Sequence, residues 1–275
     1  MFGHVVAFVT AFSLLALTSS AIVALGLVVG GRPLDRLSPP ARSRLLLSSA
    51  FVPLFVVCAV GAAMVMEPHV FGCRMHLCLA EPGAKPGAFA LLVAAVAVGG
   101  VLLGAASVAR AAWKAARLRR AFDRVATDGP DGARVLPIEE PEAFVLGVLR
   151  PTVYVSRGLL REAQPSDLRS VLVHESAHVR RRDPLRRIVA SVGLVFHAPG
   201  VAALIGKRLA RAQEMSADAE AARAGSDPGD TAAALVRFAR MRGAAAIAAA
   251  SGPALLGDDL EARVRALLEL EPLAP

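Results

Sequence analysis

The chain has few cysteines, and its longest apolar stretches have no charges at all. Three cysteines in 275 residues are too few for a fold built on disulfides. Three long apolar runs, 5–29, 45–66 and 87–109, contain no Asp, Glu, Lys or Arg. Such runs exclude ordinary surface helices. They favour helices that cross a membrane, because a span needs about 20 apolar residues.

A positively charged segment is also missing before the first run, since residues 1–4 read MFGH. A secretory signal peptide begins with a positive region and has an apolar core of about 7–15 residues. The first run is longer than such a core. The sequence therefore predicts a permanent membrane helix over 5–29 and not a cleaved signal.

The charges that are present give the chain a formal net charge of +8, although 55% of its residues are hydrophobic. The loop after the first run carries Arg32, Arg36, Arg42 and Arg44, and the segment after the third run carries Arg110, Lys114, Arg117, Arg119, Arg120 and Arg124. The middle loop holds Arg74 and Lys85, balanced by Glu67 and Glu81. Because loops rich in Lys and Arg stay in the cytoplasm, we expect the N-terminus outside and the residues after 109 inside.

These observations predict a multi-pass membrane protein with two parts. Residues 1–110 form a membrane domain with three transmembrane helices, and residues 111–275 form a cytoplasmic domain. The basic stretch 110–124 contains the only tryptophan, Trp113. It is expected to leave the bilayer and lie against anionic lipid headgroups, with a solvated charged face as the alternative.

A fourth apolar run, 188–206, is interrupted by His197, Pro199 and Gly200 near its centre. Because Pro and Gly break helices, we expect a membrane-associated hairpin or interfacial segment bent at 197–200. His197 is interpreted as a polar group near the membrane interface and not as a metal ligand.

The motif that carries chemistry is H-E-x-x-H, at His174, Glu175 and His178. On a helix, positions i and i+4 share a face, so both imidazoles can reach one metal ion. Glu175 can then reach a water on the metal and act as general base. The pattern predicts a site for one Zn²⁺ ion. We expect the helix to begin with Ser166 as N-cap and to end near Asp183.

Zinc needs a third protein ligand, and the segment RAQEMSADAE offers two acids. Glu214 and Asp218 are four residues apart on a predicted helix, so they share a face. Glu214 is the predicted third ligand, and Asp218 the carboxylate that orients a ligating histidine. On spacing alone, two solvated acids are an equally good interpretation.

The motifs resemble those of gluzincin membrane peptidases of the BlaR/MecR antirepressor type, relatives of the CAAX-prenyl and heat-shock metallopeptidases. The shared features are H-E-x-x-H with a basic run and Asp-Pro (174–184), VFHAPGV, E-x-x-x-D (214–218), a strand pair (143–160) and a closing helix (260–268). The resemblance spans about residues 118–270. It implies a mainly α protein whose peptidase domain is α+β with a small sheet, and it favours Glu214 and Asp218 as site residues.

The resemblance implies a zinc metalloendopeptidase that cleaves a cytoplasmic or membrane protein, such as a transcriptional repressor, in signal transduction. Antibiotic sensing is not expected, because no Ser-x-x-Lys segment suits the penicillin-binding domain of the β-lactam sensors. The alternatives are a peptidase for membrane-protein quality control and an inactive regulatory scaffold. We expect a protein or peptide substrate and the lipid bilayer as partners, and no direct nucleic acid binding.

Other residues leave their roles open. In the outer loop, Cys73 and Cys78 are predicted to form a disulfide, with a metal-sensing cluster including His69 and His76 as the alternative. Tyr154 and Arg223 are possible donors to the oxyanion, without a supporting pattern. Residues 144–146 could pair with an extended substrate or form an ordinary strand.

Overall fold

The structure is a computed structural model that describes residues 2–66, 88–224, 228–248 and 257–269. The described part is mostly helical with one four-stranded sheet, which confirms the predicted balance of secondary structure. The chain divides into two compact units. The first unit comprises residues 1–110 and 188–208, and the second comprises 111–187 and 209–275. The outer loop with its cysteines and histidines lies outside the described residues.

The described residues 2–66 and 88–110 of the first unit form helices joined by short turns. Its helices are α1 (Phe2–Val29), α2 (Gly31–Asp35), α3 (Pro39–Ser49), α4 (Val52–Met66) and the beginning of α5 (Ala88–Asp123). Residues Phe12–Val29 of helix α1 are long enough and apolar enough to cross a membrane. The bent pair Pro39–Ser49 and Val52–Ala63 is long and apolar enough only when its two helices are counted as one span. By this measure the described residues hold one such helix, or two if the bent pair counts.

The second predicted span is therefore not one straight helix, because the chain bends by 42° between α3 and α4. Pro53 explains the break. Proline has no backbone N–H, and its ring collides with the carbonyl four residues earlier, which is that of Ser49. That carbonyl is left without its normal helical donor.

His197 supplies the missing donor. Its Nε2 lies 3.2 Å from the Ser49 carbonyl oxygen, and its Nδ1 lies 3.1 Å from Oγ of Ser20 on α1. The Ser20 oxygen also accepts from the backbone N–H of Ala198, at 3.1 Å. Because a carbonyl can only accept, the imidazole carries its proton on Nε2 and accepts the Ser20 hydroxyl proton on Nδ1. His197 thus closes a buried polar network between α1 and the α3–α4 break.

The predicted interruption of residues 188–206 is present, but it lies slightly earlier than expected. Helix α8 (Asp183–Leu194) ends before the interruption, and helix α9 begins with Pro199 at its first position. Proline is favoured at that position because its lost N–H has no helical partner there. Pro199 and Gly200 therefore start the second helix, and the break itself covers 195–198.

The sheet belongs to the second unit. Its strands are β1 (Thr127–Asp128), β2 (Arg134–Leu136), β3 (Ala143–Leu146) and β4 (Thr152–Ser156), in the order β1-β2-β4-β3. Strands β2 and β4 are parallel, and the other two pairs are antiparallel. The β3–β4 turn uses Gly147 at φ +108°, a conformation that other residues rarely adopt. Strand β3 forms an edge of this sheet.

Five more helices complete the second unit. They are α6 (Arg157–Glu162), α7 (Pro165–Arg181), α9 (Pro199–Arg223, shared with the first unit), α10 (Pro228–Ala248) and α11 (Gly257–Leu268). Val171 and Leu172 of α7 pack with Val155 of β4 in one buried cluster. At the start of α7, buried Asp167 accepts two hydrogen bonds from Arg237 of α10, at 2.6 and 2.7 Å. The sheet and α10 together hold α7 in place.

Candidate metal centre

Helix α7 brings the two predicted histidine ligands together. It begins with Pro165 at its first position, and Gln164 stands at the N-cap without a side-chain bond. The expected N-cap Ser166 is therefore wrong, because Pro165 favours the first helical position and the helix starts two residues earlier than expected. His174 and His178 follow at i and i+4, and their Nε2 atoms lie 3.2 Å apart. Both ring edges are directed at one point beside the helix.

Helix α9 brings Glu214 to the same point. One carboxylate oxygen lies 3.5 Å from Nε2 of His174, and the other lies 3.7 Å from Nε2 of His178. Two ligands about 2.0–2.1 Å from a tetrahedral zinc ion are about 3.3 Å apart. Each observed separation is within about 0.4 Å of that value, with Glu214 presenting a different oxygen to each histidine, and one ligand atom from each residue lies within 4.8 Å of the others. The donor set of two imidazoles and one carboxylate is one that catalytic zinc uses, so these residues fit the ion.

In each histidine, the ring nitrogen that does not face the metal position, Nδ1, is hydrogen-bonded to a buried carboxylate. Nδ1 of His174 lies 2.9 Å from Asp218, and Nδ1 of His178 lies 2.8 Å from Asp183. The two acids are 3% and 1% exposed, respectively. Because each carboxylate accepts the Nδ1 proton, Nε2 of each ring is left to a metal. Asp218 therefore contacts one predicted histidine ligand, and Asp183, a second buried carboxylate, contacts the other.

The position of Asp183 depends on the turn that ends α7. Arg182 caps the helix in the left-handed conformation, with φ 53° and ψ 41°. Helix α8 then begins at once with Asp183, and Pro184 occupies its first turn. The reversal brings the Asp183 side chain back to His178, five residues earlier. The expected end of the helix near Asp183 is thus correct to within two residues, but another helix follows directly.

Two arginines donate hydrogen bonds to Asp218 and Glu214. Arg263 of α11 donates two hydrogen bonds of 2.7 Å to Asp218 and lies 3.5 Å from Glu214. Arg187 of α8 donates to Glu214 at 3.2 Å and to the neighbouring buried Gln213 at 2.6 Å. The Arg263 side chain is only 15% exposed. Such paired bonds fix the plane of the Asp218 carboxylate, and through it the ring of His174.

A model of peptidase family M48 matches residues 108–208 of this chain. The match supports a metallopeptidase. The matched range contains the H-E-x-x-H motif and Asp183, and it ends before Glu214. It supports the gluzincin type and a family that is generally zinc-dependent, whereas the antirepressor branch stays a prediction. No curated protein and no solved structure gave a significant match.

The electrostatics of this metallopeptidase site favour a cation between the three ligands. Burial lowers the pKa of His174, but hydrogen bonds with Asp218 and Glu214 outweigh it and raise that pKa to about 10. Burial raises the pKa of Glu214, but the two histidines outweigh it, and the pKa falls well below its usual range. The acids therefore attract positive charge onto the imidazoles. A divalent cation satisfies the same attraction.

Glu175 is placed differently from the ligands. Within the described part of the chain, no hydrogen bond fixes its carboxylate, and burial raises its pKa above the usual value of a glutamate. A base with a raised pKa accepts a proton more readily near neutral pH. Glu175 adjoins His174 in the motif and keeps a carboxylate available for proton transfer.

The two suggested oxyanion donors gain no support. Tyr154 is fully buried in β4, where its hydroxyl donates to Asp123 at 2.5 Å. Burial, together with this bond, raises the pKa of Tyr154 to about 12. Its ring also packs on Phe122 and Phe144, so the tyrosine is a structural residue. Arg223 is exposed at the last position of α9, five residues beyond Asp218.

Sequence reasoning missed Asp183 and Arg263 as site residues. The Asp183 signal was available, because an acid five residues after the second histidine adjoins Pro184 in the quoted pattern. The sequence analysis uses this acid as part of the resemblance and as the end of a helix, and assigns it no role at the metal. Arg263 lies 45 residues after Asp218, in the segment that resembles a closing helix; that resemblance assigns no site role to the arginine, so only the packing of α11 identifies it.

Proposed function

We propose that this chain is a membrane-anchored zinc metalloendopeptidase that hydrolyses a cytoplasmic or membrane protein. The cluster of His174, His178 and Glu214 carries the proposal, because its separations match tetrahedral zinc and its three residues belong to the predicted motifs. The match to peptidase family M48 adds independent support for the first two ligands and for Glu175.

The roles of the residues follow from their positions. His174, His178 and Glu214 would hold the ion, and Asp218 and Asp183 would keep both rings oriented through their Nδ1 protons. Zinc bound there would polarise a carbonyl and supply a water with a pKa of about 7. Glu175 would accept the proton of that water and deliver it to the leaving amine.

Strand β3 is the surface that best suits an extended substrate. It pairs with β4 on one side only, through Phe144 opposite Tyr154 and Val145 opposite Val153. The backbone groups on the other side are those of a sheet edge, which can pair with a further strand. Residues of α7 also pack against β3. We infer that the substrate backbone pairs with 144–146, as one of the two sequence interpretations holds.

Membrane anchoring is supported by the exposed surface of the first unit. Helix α1 leaves six large apolar side chains 52–73% exposed: Leu14, Leu17, Ile22, Leu25, Val28 and Val29. An apolar surface of this size is unusual in water and normal against lipid. Together with the uncharged run that begins α5, it supports the proposed multi-pass anchoring. The arginine asymmetry supports a cytoplasmic peptidase.

Among substrates, a repressor or another signalling protein is our first choice, from the antirepressor resemblance of the motifs. Quality control of membrane proteins is the second. An inactive scaffold is the third, and Glu175 argues against it because a scaffold does not need the base. Comparing cleaved proteins in cells that carry wild type or Glu175→Ala separates the first two. A single cleaved regulator favours signalling, and many damaged membrane proteins favour quality control.

The decisive test of the chemistry compares wild type with Glu175→Ala and Glu175→Gln, each purified in detergent. We expect proteolysis of an unfolded protein to fall about 10²–10⁴-fold or more, the usual contribution of a general base. Zinc content should stay at one ion per chain. Glu162→Gln changes an exposed glutamate on α6 that pairs with Arg161, so it is the matched control and should be fully active. Full activity of the Glu175 variants would rule out the mechanism.

The orientation is tested with reporter fusions at residues 82 and 275. The proposal expects residue 82 outside and residue 275 in the cytoplasm. An external signal at residue 275 would mean that residues 188–206 cross the membrane completely. The proposed cytoplasmic peptidase would then be wrong, and so would the shared metal site, because His174 and His178 precede this segment and Glu214 follows it.

A further inference from the structure

The C-terminal half of α5 presents a basic surface with one aromatic residue. We call Trp113, Lys114, Arg117 and Arg120 the basic face, because spacings of three and four residues place them on one side of the helix. All four side chains are exposed, and Trp113 is 56% exposed. The Arg117 guanidinium lies 5.6 Å from the Trp113 ring centroid, a cation–π contact.

The opposite side of the same helix packs on the sheet. Phe122 lies 5.8 Å from Phe144 and 5.9 Å from Tyr154 between ring centroids. Asp123 accepts from Tyr154 and pairs with Arg119 at 3.4 Å. Asp123 is the only acid within residues 111–124, and these contacts keep it away from the basic face. The basic face therefore has a positive potential that no acid on its own helix reduces.

The position along the helix suggests what covers this face. The uncharged run ends at Ala109, and a rise of 1.5 Å per residue places Trp113 about 6 Å further along. The headgroup layer of a bilayer is about 5–7 Å thick on each side of the hydrocarbon core. Trp is the residue that prefers this layer, and Lys and Arg beside it attract anionic lipids.

We propose that the basic face binds anionic lipid headgroups at the cytoplasmic surface, so that the charge of the membrane governs how α5 leaves the bilayer. The inference rests on the proposed membrane anchoring. It is independent of the zinc chemistry, since none of the four residues contributes to the metal centre. Charge complementarity selects acidic headgroups over neutral ones.

The test uses the full chain in two kinds of lipid nanodisc. One contains phosphatidylcholine alone, and the other contains phosphatidylcholine with about 30% phosphatidylglycerol. Trp113 is the only tryptophan, so its fluorescence reports on the basic face directly. In anionic discs we expect a blue shift of emission and about a twofold lower acrylamide quenching constant. About 1 M salt should remove the difference, because the Debye length falls to about 3 Å.

Three triple variants make the test specific. K114Q/R117Q/R120Q should lose the difference between the two discs, whereas K114R/R117K/R120K keeps the charges and should retain it. R157Q/R169Q/R240Q removes the same charge from exposed arginines on α6, α7 and α10 and should also retain it. The readout is the difference in Trp113 fluorescence and quenching between the two kinds of disc. A direct effect of the Arg117 substitution on the indole is the same in both discs and therefore cancels.

Equal quenching of wild type in both discs would overturn the inference, and so would loss of the response in R157Q/R169Q/R240Q. Protection by an oligonucleotide without protection by anionic lipid would assign the face to nucleic acid instead. Failure of the chain to copurify with any disc would overturn the membrane anchoring and this inference together. Cleavage assays on the same samples show separately whether the peptidase proposal stands.

Discussion

In the unit formed by residues 1–110 and 188–208, the buried His197 completes a backbone hydrogen bond, whereas in the other unit the buried histidines bond carboxylates. His197 donates from Nε2 to the Ser49 carbonyl. His174 and His178 instead give their Nδ1 protons to carboxylates, which leaves Nε2 to a metal. With a metal on Nε2, the imidazoles of His174 and His178 would thus have the opposite tautomer to that of His197. The hydrogen-bond partner of one ring nitrogen determines whether the other nitrogen donates a proton or can bind a metal.

The difference shows which buried polar groups have a structural role. The His197 network is closed, because both ring nitrogens and the Ser20 oxygen have partners within it. The metal centre is not closed, because the two Nε2 atoms and Glu214 are directed at a shared point that a cation can fill. A closed network contributes to stability, and an open one to binding. Mutations should separate these two contributions.

The largest effect is expected at Glu214. Glu214→Ala removes one of three ligands, so most zinc should be lost, with a cost beyond the roughly 100-fold typical of an outer carboxylate. Metal analysis of the purified protein measures this. Glu220→Ala is the matched control, since Glu220 on the same helix bonds Arg180 instead. Full zinc in Glu214→Ala would give the third ligand position to another residue.

The next effect is expected at the two orienting carboxylates. Asp218→Ala and Asp183→Ala should each lower zinc affinity or activity about 10–100-fold while still binding zinc at saturating metal. Zinc titration against a competing chelator gives the affinity.

Asp167→Ala tests whether any buried acid would behave in the same way. Asp167 is as buried as Asp218 and pairs with Arg237, but it does not contact a histidine in the described structure. Its loss should destabilise α7 and leave the zinc affinity of the folded protein unchanged. Equal losses of affinity in all three variants would contradict the assigned roles.

A smaller effect is expected at Arg263, which acts through Asp218. Arg263→Met should weaken zinc binding about tenfold or less, because the Asp218 carboxylate remains but is less firmly oriented. In the double variant with Asp218→Ala, the Arg263 substitution should add little, as for residues within one network. Additive losses would show that Arg263 acts on the site independently of Asp218. Arg237→Met, at the equivalent pair with Asp167, is the control.

The smallest effect on the metal centre is expected at His197. His197→Ala removes the donor to the Ser49 carbonyl and the acceptor of the Ser20 hydroxyl, which should lower the free energy of unfolding by about 1–3 kcal/mol. Zinc affinity should not change. Val195→Ala, at an exposed position of the same break, should change stability by less than about 0.5 kcal/mol. Thermal unfolding in detergent measures both. A loss of zinc in His197→Ala would contradict the division between closed and open networks.

Residues related by helical spacing were the predictable part of the site. His174 and His178, and likewise Glu214 and Asp218, are four apart, so one turn of helix places each pair on a common face. The mostly helical fold was also predictable from the long apolar runs, and the resemblance to gluzincin membrane peptidases implied the small sheet. The bend at Pro53 was missed because the apolar run hides it. Its physical signal, a proline inside a predicted helix, is present in the sequence.

By itself, the sequence determined which residues could share a helical face and where charges are absent, because both properties depend only on local spacing. The tertiary structure decided which faces meet. Asp183 reaches His178 only because Arg182 adopts a left-handed turn, and Arg263 reaches Asp218 only because α11 packs beside α9. Both contacts bury charges that need partners, and the burial of a charge is a property of the folded chain.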